Sequence, residues 1–536
     1  AGADEPEAGR RAHVVWAARA RVDFKSGLHD DAVLRMGEAV RAAREVGMLG
    51  YASQHAERLA EFLLYLGNAE RAVAVLEEAL ARTDRPNRRA QVAARLARAL
   101  EGAGRPGKAL EILDAEVEPF LTTSRAHAQL AVRALHFRVR ALRALGRLEE
   151  AWRTLEEGGE RFEAADEQAR AFALELRALL GSESGRLEEA VEAGEANLER
   201  VGALGWAPST AVLRALGLAK ARLGRREEGL AHLRRAFASS VGWISRFQGT
   251  EDAASTLGFV VHAAEDLLEV LAGDGGSADP DVVGEAFRAI EVSKTEALRR
   301  ALVRRTSEAP ALDPDLERRR RDLFRRLSLL SARMEVEREA GSASRLERDA
   351  LEREAEDLER EFRRRHPRAG GIRGLEPVTL EGLADSLSPD TVALDYLVGD
   401  REAFVLVLWK GGARLVRLGS SARLRNACAS ACALLRGGGC DRRTLLEATR
   451  GLSADFLAGP LAGIEGTIRR LLVLPDGSLH RLPFEALPSP FGTGFLVEDV
   501  EVAYAPSASA HLALARGAID PHGFAFLGVA VSEGLE

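Results

Sequence analysis

The sequence predicts an α-helical repeat solenoid that runs into an α/β domain. Three observations carry this prediction. A turn glycine recurs at intervals of 37 to 42 residues through the first 240 residues, the apolar period changes from helical to strand-like near residue 372, and 536 residues exceed what one hydrophobic core organises. The implied division is a disordered tail over 1–10, about six helical repeats over 11–240, and a helical continuation and junction over 241–310. A charged helical hairpin over 311–370 follows, then the α/β domain over 371–536, expected to be incomplete at its C-terminus.

The opening AGADEPEAGR is acidic and has neither the basic nor the apolar region of a secretion signal. It also lacks an initiator Met, so a trimmed or processed end is expected. Hydrophobic residues make up 46% and charged residues 29%, and no apolar run approaches the roughly 18 residues a membrane span needs. Nothing is therefore expected to cross a membrane. Net charge is −7, and only five of the 75 basic residues are Lys, a bias that fits a GC-rich bacterial genome. The runs Arg318 to Arg321 and Arg363 to Arg365 have acidic residues interleaved nearby, so they read as solvated helix faces, and direct nucleic-acid binding is not expected.

The repeat marker is a glycine at positions 27, 67, 104, 146, 185 and 224. Five residues after each stands a small residue (Ala32, Ala72, Ala109, Ala151, Ala190, Gly229), followed by an apolar one (Val33, Val73, Leu110, Trp152, Val191, Leu230). Seven residues before it the position is small in five cases (Ala20, Ala60, Ala97, Ala178, Gly217), Val139 being the exception. Twelve residues after it, Ala39, Ala79, Gly158 and Ala236 follow the same rule while Glu116 and Asn197 break it. Small residues at fixed offsets mark where paired helices approach most closely. The pattern resembles tetratricopeptide (TPR) repeats, stretched by a few residues per helix pair. Such a resemblance implies a groove that binds a protein or peptide, so recognition rather than chemistry is expected of residues 11–240.

Gly102, Gly107 and Lys108 in GAGRPGKA match part of a phosphate-binding loop. Ala109, however, stands where the Mg²⁺-ligating hydroxyl is needed, and the loop joins two helices instead of following a strand. It reads as a plain turn.

Beyond a Gly- and Asp-rich linker at 273–281 comes EAFRAIEVSKTEALRRAL. Alone it reads as an amphipathic helix with Glu and Lys outward. Its E-x-S-K-x-x-x-L pattern (Glu291, Ser293, Lys294, Leu298) resembles the helix that marks the junction in bacterial proteins where TPR repeats precede a CHAT domain. Strand-like runs then begin: TVALDYLV, AFVLVLW, RLVRL, RRLLVLP, VEVAYAP and AFLGVAV, with helical stretches at 421–436 and 441–458, which argues for a sheet packed between helices. LLVLPDGSLHRLPFEAL (471–487), FLVEDVEVAYAPSAS (495–509) and FLGVAV (526–531) resemble successive blocks of the CHAT domain, a caspase-like cysteine peptidase fold. Locally, Pro475, Asp476 and Gly477 form a tight turn after a buried strand, Pro483 stops strand pairing, and Ser507 can cap a helix.

The resemblance implies a Cys nucleophile activated by His, with both residues downstream of FLGVAV, so no catalytic residue is expected in this chain. Cys428, Cys432 and Cys440 do not occupy the family's nucleophile position. Their C-x3-C-x7-C spacing lacks a fourth ligand, so no metal site is expected, and the sparse thiols fit a reducing cytoplasm. His480 reads as framework, and a Ser507–His480 pairing lacks the nucleophile-elbow pattern. Two functions follow. In one, a protease is held latent by its repeats until a partner binds, acting in bacterial immunity or regulated cell death on substrates that include gasdermin-like pore formers. In the other, a TPR scaffold carries an incomplete pseudo-protease domain. No cofactor is expected. Further strands, from the same gene or from a C-terminal catalytic fragment, are expected to complete the sheet.

Overall fold

A computed structural model of the chain describes residues 5–25, 29–123, 128–246, 257–307, 378–436, 441–464 and 467–515, together with scattered positions between 315 and 365. Contacts divide the chain into two units, Ala1–Thr256 with Pro314–Asp357, and Leu257–Asp313 with Leu358–Glu536.

The first unit is built of helix pairs. They are α1 (Glu5–Lys25) with α2 (His29–Glu45), α3 (Leu49–Tyr65) with α4 (Ala69–Ala81), and α5 (Pro86–Gly102) with α6 (Pro106–Ile112) and the short α7 (Glu118–Thr123). Next come α8 (Ala128–Ala144) with α9 (Leu148–Glu157) and the short α10 (Gly159–Glu163), α11 (Glu167–Ser184) with α12 (Leu187–Ala203), and α13 (Thr210–Arg222) with α14 (Arg226–Arg246). Helix α1 starts at Glu5, inside the segment expected as a disordered tail. Pro6 there removes only an N–H that a first turn leaves unpaired anyway.

The recurring glycines are the reason the pairs form. Gly67, Gly104, Gly146, Gly185 and Gly224 all have φ between 70 and 82°, a left-handed conformation only glycine adopts cheaply. The next residue then closes the turn: the N–H groups of Asn68, Arg105 and Arg147 donate to the carbonyls of Leu63, Leu100 and Leu142 at 2.7–3.0 Å. Gly27 lies outside the described residues. The small residues five after the glycine are sealed from solvent at Ala32, Ala72, Ala109, Ala151 and Ala190. In the last pair the packing is tighter still: a Cβ on Gly229 would lie 2.6 Å from the carbonyl oxygen of Gly217. Gly158 is small for the same reason, since a Cβ there would sit 1.9 Å from Leu135 Cδ2. Asn197, an exception to the rule of small residues, is buried with its amide donating to the Ala171 carbonyl at 2.7 Å. A π-helical turn, Leu113–Val117, connects α6 to α7 and accommodates extra residues in that pair.

Among the described residues, the second unit holds a six-stranded sheet, in the order β1-β4-β3-β2-β5-β6. Its strands are β1 (Gly276–Ser277), β2 (Thr391–Val398), β3 (Glu402–Trp409), β4 (Gly412–Ser420), β5 (Arg470–Leu474) and β6 (Glu501–Tyr504). The loops after β2 and β3 are too short for a crossover, so β2, β3 and β4 run antiparallel, whereas β5 joins β2 and β6 joins β5 in parallel. Both faces of β2, β3 and β5 are buried, which is why these strands read as continuous apolar runs.

One face, with Leu394, Tyr396, Val405 and Val473, packs on Leu424 and Cys428 of α18 (Ser421–Arg436) and Leu452 of α19 (Arg442–Ser453). The other face meets α15 (Leu257–Ala272) and α16 (Pro280–Ser307). Helices expected to continue the repeats therefore belong to the sheet unit, and its start at Leu257 precedes the boundary expected at 371. The switch to strand periodicity could not reveal this, because a covering helix keeps a helical period. The linker expected at 273–281 supplies β1, whose Gly276 pairs with Val416 of β4. The hairpin expected over 311–370 falls largely outside the described residues. Among them, Arg318 pairs with Asp315 and Arg365 with Glu361, as expected of solvated helix faces. FLGVAV and Cys440 also lie outside. Among the described residues, no helix is long and apolar enough to cross a membrane.

Candidate functional site

The carboxyl ends of the parallel strands gather the polar groups of the second unit, and α16 delivers most of them. Glu291 and Lys294, read from sequence as pointing outward, are buried, and so is Ser293 between them. This corrects the simple amphipathic reading: the polar side chains lie inward because each has a partner there. Lys294 Nζ lies 2.6 Å from Asp395 Oδ1 and donates to the carbonyl of Leu474 at 2.7 Å. Asp395 and Leu474 are register partners across the β2–β5 ladder, so one ammonium ties two adjacent strands to the helix. Ser293 turns back on its own helix, its hydroxyl donating to the Ala289 carbonyl at 2.8 Å. The side chain of Leu298 lies outside the described ones.

Glu291, one turn earlier, reaches a different element. Its carboxylate accepts the N–H groups of Ala508 at 3.0 Å and Ser509 at 2.8 Å, the first residues of α20 (Ala508–Ala515), and the hydroxyl of Thr295 at 2.8 Å. Short α17 (Leu380–Ser386) packs on both α16 and α20. The buried Ser507 caps α20 as the sequence predicts, accepting from the Ala510 N–H at 3.2 Å. An ionised carboxylate on free N–H groups at a helix start is the arrangement the helix dipole favours.

The turn after β5 completes the end of the sheet. Gly477 takes φ 53°, and the Asp476 carboxylate accepts from the Val398 N–H at 2.8 Å, fixing the end of β2. His480 stands at the surface of the following turn and makes no hydrogen bond within the described residues. Its imidazole is pulled below the ordinary value by partial desolvation, with Asp476 opposing and Lys294 reinforcing the shift. Beyond it, the Tyr504 hydroxyl accepts from the Phe484 N–H at 2.8 Å and donates to Glu485. Burial pushes the Asp395 carboxyl up to about 6; Lys294 opposes this shift and Glu291 adds to it. One Asp395 oxygen, Oδ2, has no hydrogen-bond partner.

The thiols lie elsewhere. Cys428 sits in the core on the opposite face of the sheet from Lys294, and burial pushes its thiol up to about 11, so it serves as a small apolar residue. Cys432 Sγ contacts the Arg481 carbonyl at 3.1 Å. Neither forms a nucleophile–base pair with His480 in the described contacts. What the cluster does is mechanical and electrostatic: it locks α16 to the strand ends and to the start of α20. Sequence reasoning found Glu291 and Lys294, placed Asp476 only in the turn, and missed Asp395 and Glu265. Asp395 carried a signal, as the single charge in the buried run TVALDYLV. Glu265 had none, yet its buried carboxylate accepts the N–H groups of Asp400, Arg401 and Glu402 at 2.8–3.1 Å and pins the β2–β3 turn.

Residues 447–535 match the family model of the CHAT domain. The matched segment takes in the second half of α19, β5, the turns carrying Asp476 and His480, β6 and α20. No curated protein matches the chain.

Proposed function

We propose that this chain is the regulatory and structural part of a caspase-like cysteine endopeptidase, with TPR-like helix pairs as the regulator and the sheet unit as the platform for catalysis. The observation that carries this reading is the similarity of residues 447–535 to the CHAT domain, a caspase-like peptidase region, on a sheet whose strand ends are locked to α16. In this reading a catalytic fragment supplies the Cys nucleophile and its His. The His takes the thiol proton, the thiolate adds to the scissile carbonyl, and the amine leaves with that proton before water releases the acyl group. A protein partner binding the repeats favours the competent state over the latent one, which requires different affinities for the two states. The setting that fits is bacterial immunity or regulated cell death in the cytoplasm, with a gasdermin-like protein as one substrate class.

The test is to express the chain with its downstream coding sequence and assay cleavage of a fluorogenic peptide library, with and without iodoacetamide. Thiol-dependent cleavage, lost on replacing a downstream Cys by Ser, supports the reading. A gene that supplies no further His and Cys, with no complementing chain co-purifying, overturns it and leaves a protein-binding scaffold.

A further inference from the structure

The first helices of consecutive pairs, α3, α5 and α8, share a charged face. Glu57 of α3 pairs with Arg88 at 2.5 Å and with Arg95 at 2.7 Å, both on α5, and Glu61 also engages Arg95. Glu101, near the end of α5, pairs with Arg140 of α8 at 2.9 Å. Three carboxylates thus occupy three guanidinium groups. Two more arginines stand among them, Arg98 on α5 and Arg133 on α8, and neither makes a hydrogen bond or an ion pair within the described residues.

Their surroundings do not suit a lone cation. Arg98 is repelled by Arg140 and Arg95, and Arg133 by Arg95. Crowding by the surrounding protein is the larger cause that lowers both groups below the ordinary arginine value, although Arg98 is still exposed at the surface and Arg133 half-buried, and the attraction of Glu61, Glu101 and Glu57 does not offset this. Beside them, His136 Nδ1 and Arg140 Nε are buried polar atoms without a partner. The His136 ring is held neutral near neutral pH, pushed down to about 3 by burial and by the charges of Arg140 and Arg98. Two guanidinium groups without a carboxylate partner, each repelled by neighbouring arginines, are where an arriving anion would gain most.

We propose that this face docks an acidic peptide segment of a partner protein, whose carboxylates pair with Arg98 and Arg133. Guanidinium forks match carboxylates with two parallel hydrogen bonds, giving geometry as well as attraction. The interleaved Glu57, Glu61 and Glu101 favour a peptide over a nucleic acid, because a continuous phosphate backbone would run over them. The proposal deepens the reading of the helix pairs as the partner-binding part, and it is measured without any peptidase readout, so the two can fail separately.

The experiment is fluorescence anisotropy of a labelled oligoglutamate peptide titrated with the full chain. The double variant R98A/R133A is expected to bind at least about tenfold more weakly, the loss typical of removing charge-assisted hydrogen bonds. Its thermal midpoint should equal or exceed the parent's, since two unpaired cations that Arg95 and Arg140 repel are removed. A purely structural role would lower that midpoint instead. The variant R98K/R133K, which keeps charge without the fork, should fall between the two. Unchanged affinity in R98A/R133A, equal binding of oligolysine, or tighter binding of an oligothymidylate each overturns the proposal. Should the double variant fail to fold, the single variants R98Q and R133Q answer the same question.

Discussion

Lys294 Nζ and Asp395 Oδ1 lie 2.6 Å apart, with side chains 4% and 1% exposed, although about a hundred residues separate them in sequence. Burying two charges is unfavourable, and the pair persists because the Leu474 carbonyl supplies Lys294 with a second acceptor. Removing one partner should therefore hurt more than removing both. Lys294→Met is expected to destabilise the second unit by about 3–5 kcal/mol by leaving Asp395 uncompensated. The double variant K294M/D395L should recover most of this, short of the about 1–3 kcal/mol lost at the unbonded Leu474 carbonyl. Denaturant unfolding of the two variants decides it, and equal losses in both would refute the coupling.

Glu291 gives a local version of the same argument. Replacing it by Ala leaves the N–H groups of Ala508 and Ser509 buried without an acceptor, at a cost of about 1–3 kcal/mol for each group. Hydrogen exchange should show the loss directly, with these two amides exchanging much faster while amides of β3 stay protected. A uniform rise across the sheet would instead indicate global destabilisation.

The glycines of the helix pairs make opposite predictions according to their surroundings. Gly158→Ala drives a methyl into Leu135 and should destabilise by about 1–3 kcal/mol. Gly107, part of the rejected phosphate-loop match, lies in α6 with nothing within 4 Å of a new Cβ. Gly107→Ala should be neutral or stabilising by up to about 1 kcal/mol. Thermal midpoints of the two variants separate the cases. A destabilised Gly107→Ala would show that this turn does more than join two helices.

How far the sequence could be read follows from these residues. The turn glycines were legible because a left-handed φ demands glycine at a fixed place in five of the pairs, so backbone chemistry writes itself into the period. Ser507 was legible for a similar reason, as a helix cap is a local event. Lys294 and Glu291 were recognisable only as a motif, and their direction was misread, since partners such as Asp395 and Ala508 are brought to them by tertiary folding. Glu265 was invisible because a single acidic residue on a helix says nothing about a distant hairpin turn. The placement of α15 and α16 on the sheet was missed for the same reason.

Asp395 also predicts how stability varies with pH. Burial raises its folded value from 3.8 to about 6, with Lys294 opposing the shift and Glu291 and Asp476 adding to it. The native state therefore holds a proton that the unfolded chain releases, and between these two values native protein binds more protons than unfolded protein. Stability then falls as pH rises through that window. The Asp395 contribution is fully present below 3.8, lost as pH passes about 6, and constant above it. Other groups titrate in the same range, so the informative quantity is the difference in unfolding free energy between the parent and Asp395→Asn. That difference should shrink from pH 4 to pH 6 and level off by pH 7, as Asn cannot release the proton that gives the parent its slope. A difference that grew with pH would mean that Lys294 outweighs burial, so that Asp395 is held ionised in the folded protein well below its ordinary value.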